Sequence, residues 1–319
     1  MKPRAWGKKA VYGTFFALGL PAAGRWRRRS GLIVLTYHSF GDPREYPYVG
    51  RLSSDLFEKQ LDHLERNYEI VGIEEGINSL EREIPRNRPM LALTVDDGYY
   101  DNRDLFFSAV RDRSLPGTIF VATDYLDSGR LPWPTRVNAI LLYATRRIME
   151  RPFKLDLNDP ASNQIIKRHL ARLSTETRND LLDTLEDELA PTAIPRIPPL
   201  TWDAVREMSA SKIAIGSHTV HHGWLDGIPS DEAEEELVHS RERIEAEIGK
   251  PCRLIAYPNG NWNNSVVELA KKSGYNYALT QDRGINRALD FSPYSIKRIE
   301  IPYNETIESF ACRVSGLAI

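Results

Sequence analysis

From residue 31 onward the sequence alternates between short apolar segments and longer amphipathic ones, and this alternation limits the folds open to the chain. The apolar segments, among them GLIVLTYHSF, MLALTV and KIAIGS, have the length and composition of buried strands. The amphipathic segments, such as SSDLFEKQLDHLERN, have the periodicity of helices. Repeated alternation of this kind predicts an α/β fold with a parallel sheet, and seven or eight strands predict closure into a (β/α) barrel.

The alternation breaks between residues 125 and 199. This block runs from LPWPTRVNAILLYATRR to the proline-rich PTAIPRIPPL and has a mostly helical pattern with polar connections. We therefore expect one barrel domain over residues 31–319, with residues 125–199 as an insertion that covers one rim.

Polar side chains follow four of the predicted strands at the point where each strand ends. Active groups of such barrels collect on the loops at the carboxyl ends of the strands, so we expect these side chains at one mouth. They are His38 after GLIVLTY, Asp96 and Asp97 after MLALTV, His218, His221 and His222 after KIAIGS, and Tyr257, Pro258 and Asn259 in AYPNG.

The adjacent Asp96 and Asp97 place two like charges against the end of an apolar strand. Asp-Gly is a common turn dipeptide, so a simple turn is one interpretation. The other is a metal site, because two imidazoles and one carboxylate can bind a divalent ion and leave positions for water and substrate. A second carboxylate that does not bind the ion could then act as general base.

The composition of the chain argues against two kinds of ligand, nucleic acid and a zinc ion held by cysteines. The net charge of −2 gives no support for nucleic-acid binding, which usually requires a basic excess. The two cysteines, Cys252 and Cys312, form no CxxC pair, which argues against a thiolate zinc site. The expected ligands of any metal are therefore the histidines and aspartates.

Residues 1–30 combine basic and apolar stretches: MKPRAWGKK, then AVYGTFFALGLPAAG, then RWRRR. The apolar part is shorter than the roughly 20 residues that span a bilayer as a helix. A secretory signal peptide and a membrane-surface anchor both fit, and the arginines that follow directly favour the anchor. A first helix packed on the fold is the third interpretation. The signal peptide and the surface anchor both predict a protein of the cell envelope, exported in the first case and membrane-associated in the second.

Two of these motifs resemble a known family. TVDDG is similar to the TFDDG signature of the polysaccharide deacetylases with a NodB homology domain (carbohydrate esterase family 4), and SHTVHH matches its H-[S/T]-x-x-H motif. The resemblance covers about residues 88–319, interrupted by the insertion, and it implies a distorted seven-stranded barrel. DDGYYDN and AYPNG resemble the branch that contains poly-N-acetylglucosamine deacetylases.

The resemblance implies a role for each matching residue. Asp96 is expected to be the catalytic base, and Asp97, His218 and His222 the ligands of a divalent metal. Zinc is expected first, with cobalt, nickel or iron as alternatives. His221 falls between the two ligand positions of the motif and is left out of the predicted set.

The chain departs from the family pattern in two places. Ala256 stands where many members have an arginine beside the base, so we expect Arg298 to replace it, with Lys297 as second choice. The backbone amide of Asn259 can still stabilise an oxyanion, because that role needs no particular side chain. The usual histidine near the C-terminus is also absent, and His38 is the expected general acid; a histidine bonded to the barrel rim is the alternative.

The resemblance implies metal-assisted removal of N-acetyl groups from an amino-sugar polysaccharide or oligosaccharide. Two rivals stay open: a deacylase of a lipid-linked aminosugar, and a non-catalytic protein that binds glycan or metal. Five side chains near the motifs are predicted to contact the sugar, although packing at the rim is an equal alternative for the aromatic ones. They are Tyr99, Trp224, Tyr257, Pro258 and Trp262.

Overall fold

The computed structural model describes residues 5–84, 86–149, 153–159 and 161–317. Its strands are, in chain order, β1 (Leu32–Tyr37), β2 (Ser39–Phe40), β3 (Arg51–Leu52), β4 (Glu69–Ile70), β5 (Met90–Val95), β6 (Gly117–Val121), β7 (Ile148–Met149), β8 (Leu155–Asp156), β9 (Ile213–Ser217), β10 (Leu254–Ala256), β11 (Tyr277–Arg283) and β12 (Ile296–Glu300).

Helices follow most of these strands, as the alternation predicts. They are α1 (Ala5–Ala17), α2 (Leu20–Arg27), α3 (Ser54–Asn67), α4 (Ile73–Glu81), α5 (Ser108–Asp112), α6 (Thr123–Ser128), α7 (Trp133–Tyr143), α8 (Ala161–Leu170), α9 (Thr175–Leu189), α10 (Trp202–Ser209), α11 (Ser230–Ile248), α12 (Asn264–Lys272) and α13 (Ile307–Ser315). A π-helical stretch, Asn102–Phe107, leads directly into α5.

Seven parallel strands close into a barrel, which confirms the predicted fold class. The order around the barrel is β1, β12, β11, β10, β9, β6, β5, and β5 then pairs with β1 along its whole length, from Leu32 with Met90 to Tyr37 with Val95. The short β4 pairs with the beginning of β5, while β6 pairs with its end. The carboxyl ends of all seven barrel strands therefore lie at one mouth.

The strands alternate between two buried faces, because successive side chains of a strand point to opposite sides of the sheet. One set forms an apolar cluster that includes Leu32, Val34, Met90, Ala92 and Ile296, and it fills the barrel interior. The other set, which includes neighbours of these residues in the chain, packs against the helices in a second, larger cluster. The interior face continues to the mouth, where polar residues replace the apolar ones.

Between β6 and β9 the chain forms α6–α9 and a small antiparallel hairpin of β7 and β8. This segment has its own hydrophobic cluster, which includes Trp133, Ile140, Ile166 and Leu182. The Tyr125 hydroxyl donates a hydrogen bond to the Ile197 carbonyl at 2.7 Å, so the beginning and the end of the segment are held together. Most of this segment falls within residues 125–199, the region predicted to be an insertion, and several of its side chains line the cleft beside Asp97.

The described part of residues 1–30 forms α1 and α2, which pack on α13. Gly24 is required at this contact, since a Cβ there would lie 2.4 Å from the carbonyl oxygen of Ser315. Arg28 also donates a hydrogen bond to the Val314 carbonyl at 3.2 Å. Among the described residues, none of the helices has the length and apolar character needed to cross a membrane. Residues 1–4 of the predicted N-terminal segment lie outside the described residues.

Candidate active site

The two aspartates after β5 point in different directions. Asp96 continues the alternation of the strand and occupies the interior face with Met90, Ala92 and Thr94. Asp97 has a φ of 79° and Gly98 a φ of 86°, so the chain turns away from the barrel axis directly after Asp96. Aspartate is one of the few non-glycine residues that tolerate this left-handed conformation. The sharp turn therefore gives the adjacent carboxylates different surroundings.

Arg298 pairs with Asp96 inside the barrel mouth. Its Nη1 lies 2.8 Å from Oδ1 of Asp96, and its Nε donates a hydrogen bond to the Thr280 carbonyl at 2.8 Å. Both charged side chains are almost completely buried. Burial, the largest single influence, raises the pKa of Asp96, but the charge and hydrogen bond of Arg298 together with the nearby imidazoles outweigh it, and the pKa lies below its usual value. Asp96 is therefore held as a carboxylate at neutral pH, in the place predicted for the base.

Replacement of Arg298 by methionine should destabilise the metal-free protein by about 3–5 kcal/mol, because removal of one partner leaves a buried charge uncompensated. Urea unfolding in the presence of a chelator measures this free energy. Arg103→Met is the matched control, since Arg103 pairs with Asp104 and Glu207 at the exposed surface and such pairs contribute about 0–1 kcal/mol. Equal losses for the two variants would contradict the buried ion pair.

Asp97, His218 and His222 meet at one point. The distance from Oδ1 of Asp97 to Nε2 of His218 is 3.5 Å, and to Nε2 of His222 it is 3.4 Å. Nδ1 of His218 is bonded to the Ala256 carbonyl at 2.7 Å, which leaves Nε2 unprotonated and directed at Asp97. Burial lowers the pKa of His218 to about 4, so the imidazole is neutral at physiological pH. A neutral imidazole is the form that binds metal ions.

This cluster fits a divalent ion. Oδ1 of Asp97 is buried and has no hydrogen-bond partner, although an unsatisfied buried carboxylate oxygen is costly. Two ligands about 2.0–2.1 Å from one tetrahedral ion lie roughly 3.3 Å apart, close to the observed separations. Within the described part of the chain these three residues form the only such group of potential ligands. The sequence reasoning selected the same three.

Glu236 on α11 holds the loop that carries both histidines, and no feature of the sequence singled it out. Its Oε2 accepts hydrogen bonds from the backbone amides of Val220 and His221, each at 2.9 Å, and its Oε1 pairs with Nδ1 of His221 at 2.7 Å. The histidine loop contains two residues at positive φ, Thr219 and His222. The buried carboxylate therefore stabilises a strained loop and turns His221 away from the ligand cluster.

The substitution Glu236→Gln should weaken metal binding by roughly 10–100-fold, the usual effect of removing a group that orients metal ligands. The neutral amide would lose the charge that strengthens the hydrogen bonds from the Val220 and His221 amides and the pairing with the His221 imidazole. Calorimetric titration of the chelator-treated protein with Zn²⁺ measures the affinity. Glu235→Gln, an exposed neighbour on the same helix, should bind as the unaltered protein does. Matching isotherms for both variants would show that Glu236 does not position the ligands.

Trp133 at the start of α7 is a second contact that the sequence did not reveal. Its indole Nε1 donates a hydrogen bond to the backbone carbonyl of His222 at 3.0 Å. The insertion thus contacts the backbone of a candidate metal ligand directly. The residues around Trp133 in the sequence form no motif from which a contact with His222 could be predicted.

A cleft of about 390 Å³ opens beside this cluster. It is lined by Asp97 and His38 from the barrel, by Tyr48 and Tyr303 from neighbouring loops, and by side chains of the insertion. Asn102 fixes the backbone of His38 by donating to its carbonyl at 2.8 Å. Asn259 is exposed and has a φ of 56° in the loop after β10. Lys297, the second choice for the arginine role, pairs instead with Asp290.

Three of the predicted sugar contacts have low exposure in this structure, and one of the three, Tyr99, lines the cleft. Tyr99 is 1% exposed and shares a hydrogen bond with Thr135, and Tyr257 is 0% exposed and lies outside the cleft lining. Pro258 is also buried. Trp224 packs on Trp133, and Trp262 bonds to Asp282 through Nε1. Both tryptophans are half-buried and lie outside the residues that line the cleft.

The fold and the site define a class: a parallel (β/α) barrel with carboxylates and imidazoles at the strand ends is the architecture of a barrel enzyme. The family model described as polysaccharide deacetylase matches residues 83–278, which is more than half of the chain. The protein therefore belongs to the polysaccharide deacetylase family.

Individual relatives are more distant. The YxkH protein of Bacillus subtilis (strain 168), whose name places it among polysaccharide deacetylases, is 25% identical over 118 residues; the match covers 37% of this chain and 42% of the relative. The Streptococcus pyogenes deacetylase PplD in complex with acetate has 19% identity and a TM-score of 0.62, covering 89% of this chain and 98% of that one. IcaB from Ammonifex degensii has 19% identity and a TM-score of 0.59, with coverages of 90% and 96%. These structures share the fold.

Proposed function

We propose that the protein removes N-acetyl groups from an amino-sugar glycan with the aid of a divalent metal ion. The observation that carries this proposal is the arrangement of Asp96 and Asp97. The Asp97 carboxylate lies in a cluster with two imidazoles. The Asp96 carboxylate is ion-paired to Arg298 through Oδ1, and its Oδ2 lies 4.0 Å from Nε2 of His218. Asp97 contributes to a ligand set at the edge of the cleft, and Asp96 is a separate base close to that ligand set.

The chain's own residues can supply the proton transfers of amide hydrolysis. A bound divalent ion lowers the pKa of a water molecule and polarises the acetyl carbonyl. Asp96 accepts the proton of the attacking water, and Arg298 keeps this carboxylate ionised. The Asn259 amide donates to the oxyanion, and His38 donates a proton to the departing sugar amine. His38 and Asp97 line the same cleft, which supports this division of roles.

We propose zinc as the ion, with cobalt, nickel or iron as alternatives. Two imidazole nitrogens and one carboxylate oxygen form a ligand set typical of catalytic zinc, in which further positions stay open. Metal content of the purified protein, measured by mass spectrometry, tests this assignment. A hard ion such as magnesium would contradict it, since oxygen ligands are preferred by such ions.

A non-catalytic glycan- or metal-binding protein is the rival from another class. Asp96 argues against it. Its Oδ2 is buried without a hydrogen-bond partner, although Oδ1 is fully engaged by Arg298. A purely structural metal site does not need a second, ionised carboxylate with a free oxygen beside it.

Acetate release decides among these functions. The metal-loaded protein is incubated with N-acetylglucosamine oligomers and, separately, with a lipid-linked N-acylated aminosugar. Acetate from the oligomers supports the proposed function. Turnover of the lipid-linked substrate alone would favour the deacylase, and metal binding with no turnover of either would favour the non-catalytic rival.

The N-terminal helices support a separate proposal, contact with an anionic membrane surface and hence a location in the cell envelope. Leu18 and Trp26 are 68% and 66% exposed, and Arg27 and Arg29 are exposed beside them. Exposed apolar groups next to cations suit a lipid interface. The protein should sediment with vesicles that contain anionic lipid and stay in solution with neutral ones. The double variant Leu18→Ser/Trp26→Ser should lose this binding, and unchanged sedimentation would contradict the proposal.

A further inference from the structure

The insertion contributes one wall of the cleft that contains Asp97. The opposite wall belongs to the barrel and carries His38 and Tyr303, whereas the insertion side presents Thr135 and Asn138 from α7 and Lys167 from α8. A glycan that places its acetyl group near Asp97 must therefore pass between the barrel and these insertion side chains.

Lys167 has a fixed position on this wall. Its Nζ donates a hydrogen bond to Oδ1 of Asn138 at 2.7 Å, and Asn163 donates to the same oxygen at 3.0 Å. Asn138 is itself oriented, because its Nδ2 donates to the Tyr48 carbonyl at 3.3 Å. A lysine ammonium has three donors, so two remain available to a ligand.

The ammonium of Lys167 forms no ion pair among the described residues, although the exposed Glu300 lines the barrel side of the same cleft. No carboxylate there lies within 4.0 Å of its Nζ, whereas Arg136 on the same insertion pairs with both Asp183 and Glu186. Burial lowers the pKa of Lys167 to about 8, so the cation is retained at neutral pH although its surroundings disfavour it. An anion bound beside it would offset this cost.

We propose that Lys167 binds an anionic group of the glycan, a carboxylate or a phosphate, next to the sugar that loses its acetyl group. This inference rests on the proposed function and adds the substrate class: an acidic, N-acetylated glycan rather than a neutral one. The acidic group lies on the insertion side of the cleft, with two ammonium donors directed at its oxygens.

The test compares kcat/KM for three N-acetylated oligosaccharides of equal length: a neutral one, one with a uronate carboxylate and one with a phosphate substituent. The metal-loaded protein should prefer at least one anionic substrate by roughly tenfold, the contribution of a charge-assisted hydrogen bond. The preferred substrate identifies the anion. In Lys167→Gln the ratio of kcat/KM for the anionic substrate to that for the neutral one should fall towards 1. In Lys167→Arg most of the preference should remain.

Arg168→Gln is the matched control, because it removes a neighbouring exposed charge of the same helix that does not line the cleft. This variant should keep the preference. Added salt should reduce the preference of the unaltered protein, a readout that needs no variant. Equal kcat/KM for neutral and anionic substrates would overturn this inference but not the proposed function. An unchanged preference in a folded Lys167→Gln protein would do the same. Absence of acetate release from all three would instead count against the proposed function.

Discussion

Asp96→Asn should keep its metal and lose roughly 10²–10⁴-fold in kcat, the usual contribution of a positioned general base. The amide has nearly the shape of the carboxylate but cannot accept the proton of the attacking water. Asp97, His218 and His222 remain in place, so the metal-binding isotherm should not change. Acetate release and metal content are measured on the same sample.

Asp104→Asn is a suitable control, because Asp104 is an exposed aspartate only a few residues away and its partner Arg103 lies at the surface. Its turnover should match that of the unaltered protein. Asp96→Asn also leaves Arg298 buried beside a neutral group, so its unfolding transition must be recorded at the assay temperature. Near-normal turnover in a folded, metal-loaded Asp96→Asn protein would remove the proposed base from the mechanism.

Removal of a ligand should have the largest effect. Asp97→Ala and His218→Ala are each expected to weaken metal binding by more than about 100-fold, because loss of a supporting contact alone costs 10–100-fold. Acetate release should fall to the level of the chelator-treated protein. Calorimetric titration with Zn²⁺ and metal content after dialysis measure the binding.

His239→Ala controls for the loss of an imidazole, since His239 is an exposed histidine on α11. It should retain both metal and activity. If Asp97→Ala kept stoichiometric metal, the ion would have to bind elsewhere in the chain. If it lost metal but retained turnover, the reaction would not depend on this site.

The barrel and the position of the site could be predicted because both follow from local patterns. Buried strands and amphipathic helices differ in the period of their apolar residues, and a parallel barrel brings the ends of its strands together. Asp97, His218 and His222 are therefore brought close by topology, although 121 positions separate Asp97 from His218 in the chain numbering. No detailed packing is needed for that inference.

Arg298 illustrates a weaker signal. In SIKRIEIP, Lys297 and Arg298 point to opposite faces of the strand, and an isoleucine lies on each face, Ile296 with Arg298 and Ile299 with Lys297. The alternation alone cannot say which cation points into the barrel. The register of β12 in the closed sheet decides it, and that register depends on the whole barrel.

Glu236 and Lys167 could not be found from the sequence for a different reason. Glu236 is one of several glutamates in the helix SDEAEEELVHSRERIEAEI, and only packing of that helix against the histidine loop separates it from the exposed ones. Lys167 lies in ASNQIIKRHL among other basic residues. Sequence position also does not give the burial of the aromatic side chains, because Tyr99 and Tyr257 follow the motifs and yet are 1% and 0% exposed.

The hydrogen bond from the Trp133 indole to the His222 carbonyl ties the insertion to the loop that carries two of the proposed metal ligands. Shortening or replacing residues 125–199 would remove none of the proposed reacting groups and yet would release the backbone that presents one of the ligands. Among proteins that share this barrel, exchange of the intervening segment would therefore alter metal retention together with glycan preference. Metal retention and glycan preference should therefore change together when this segment is exchanged.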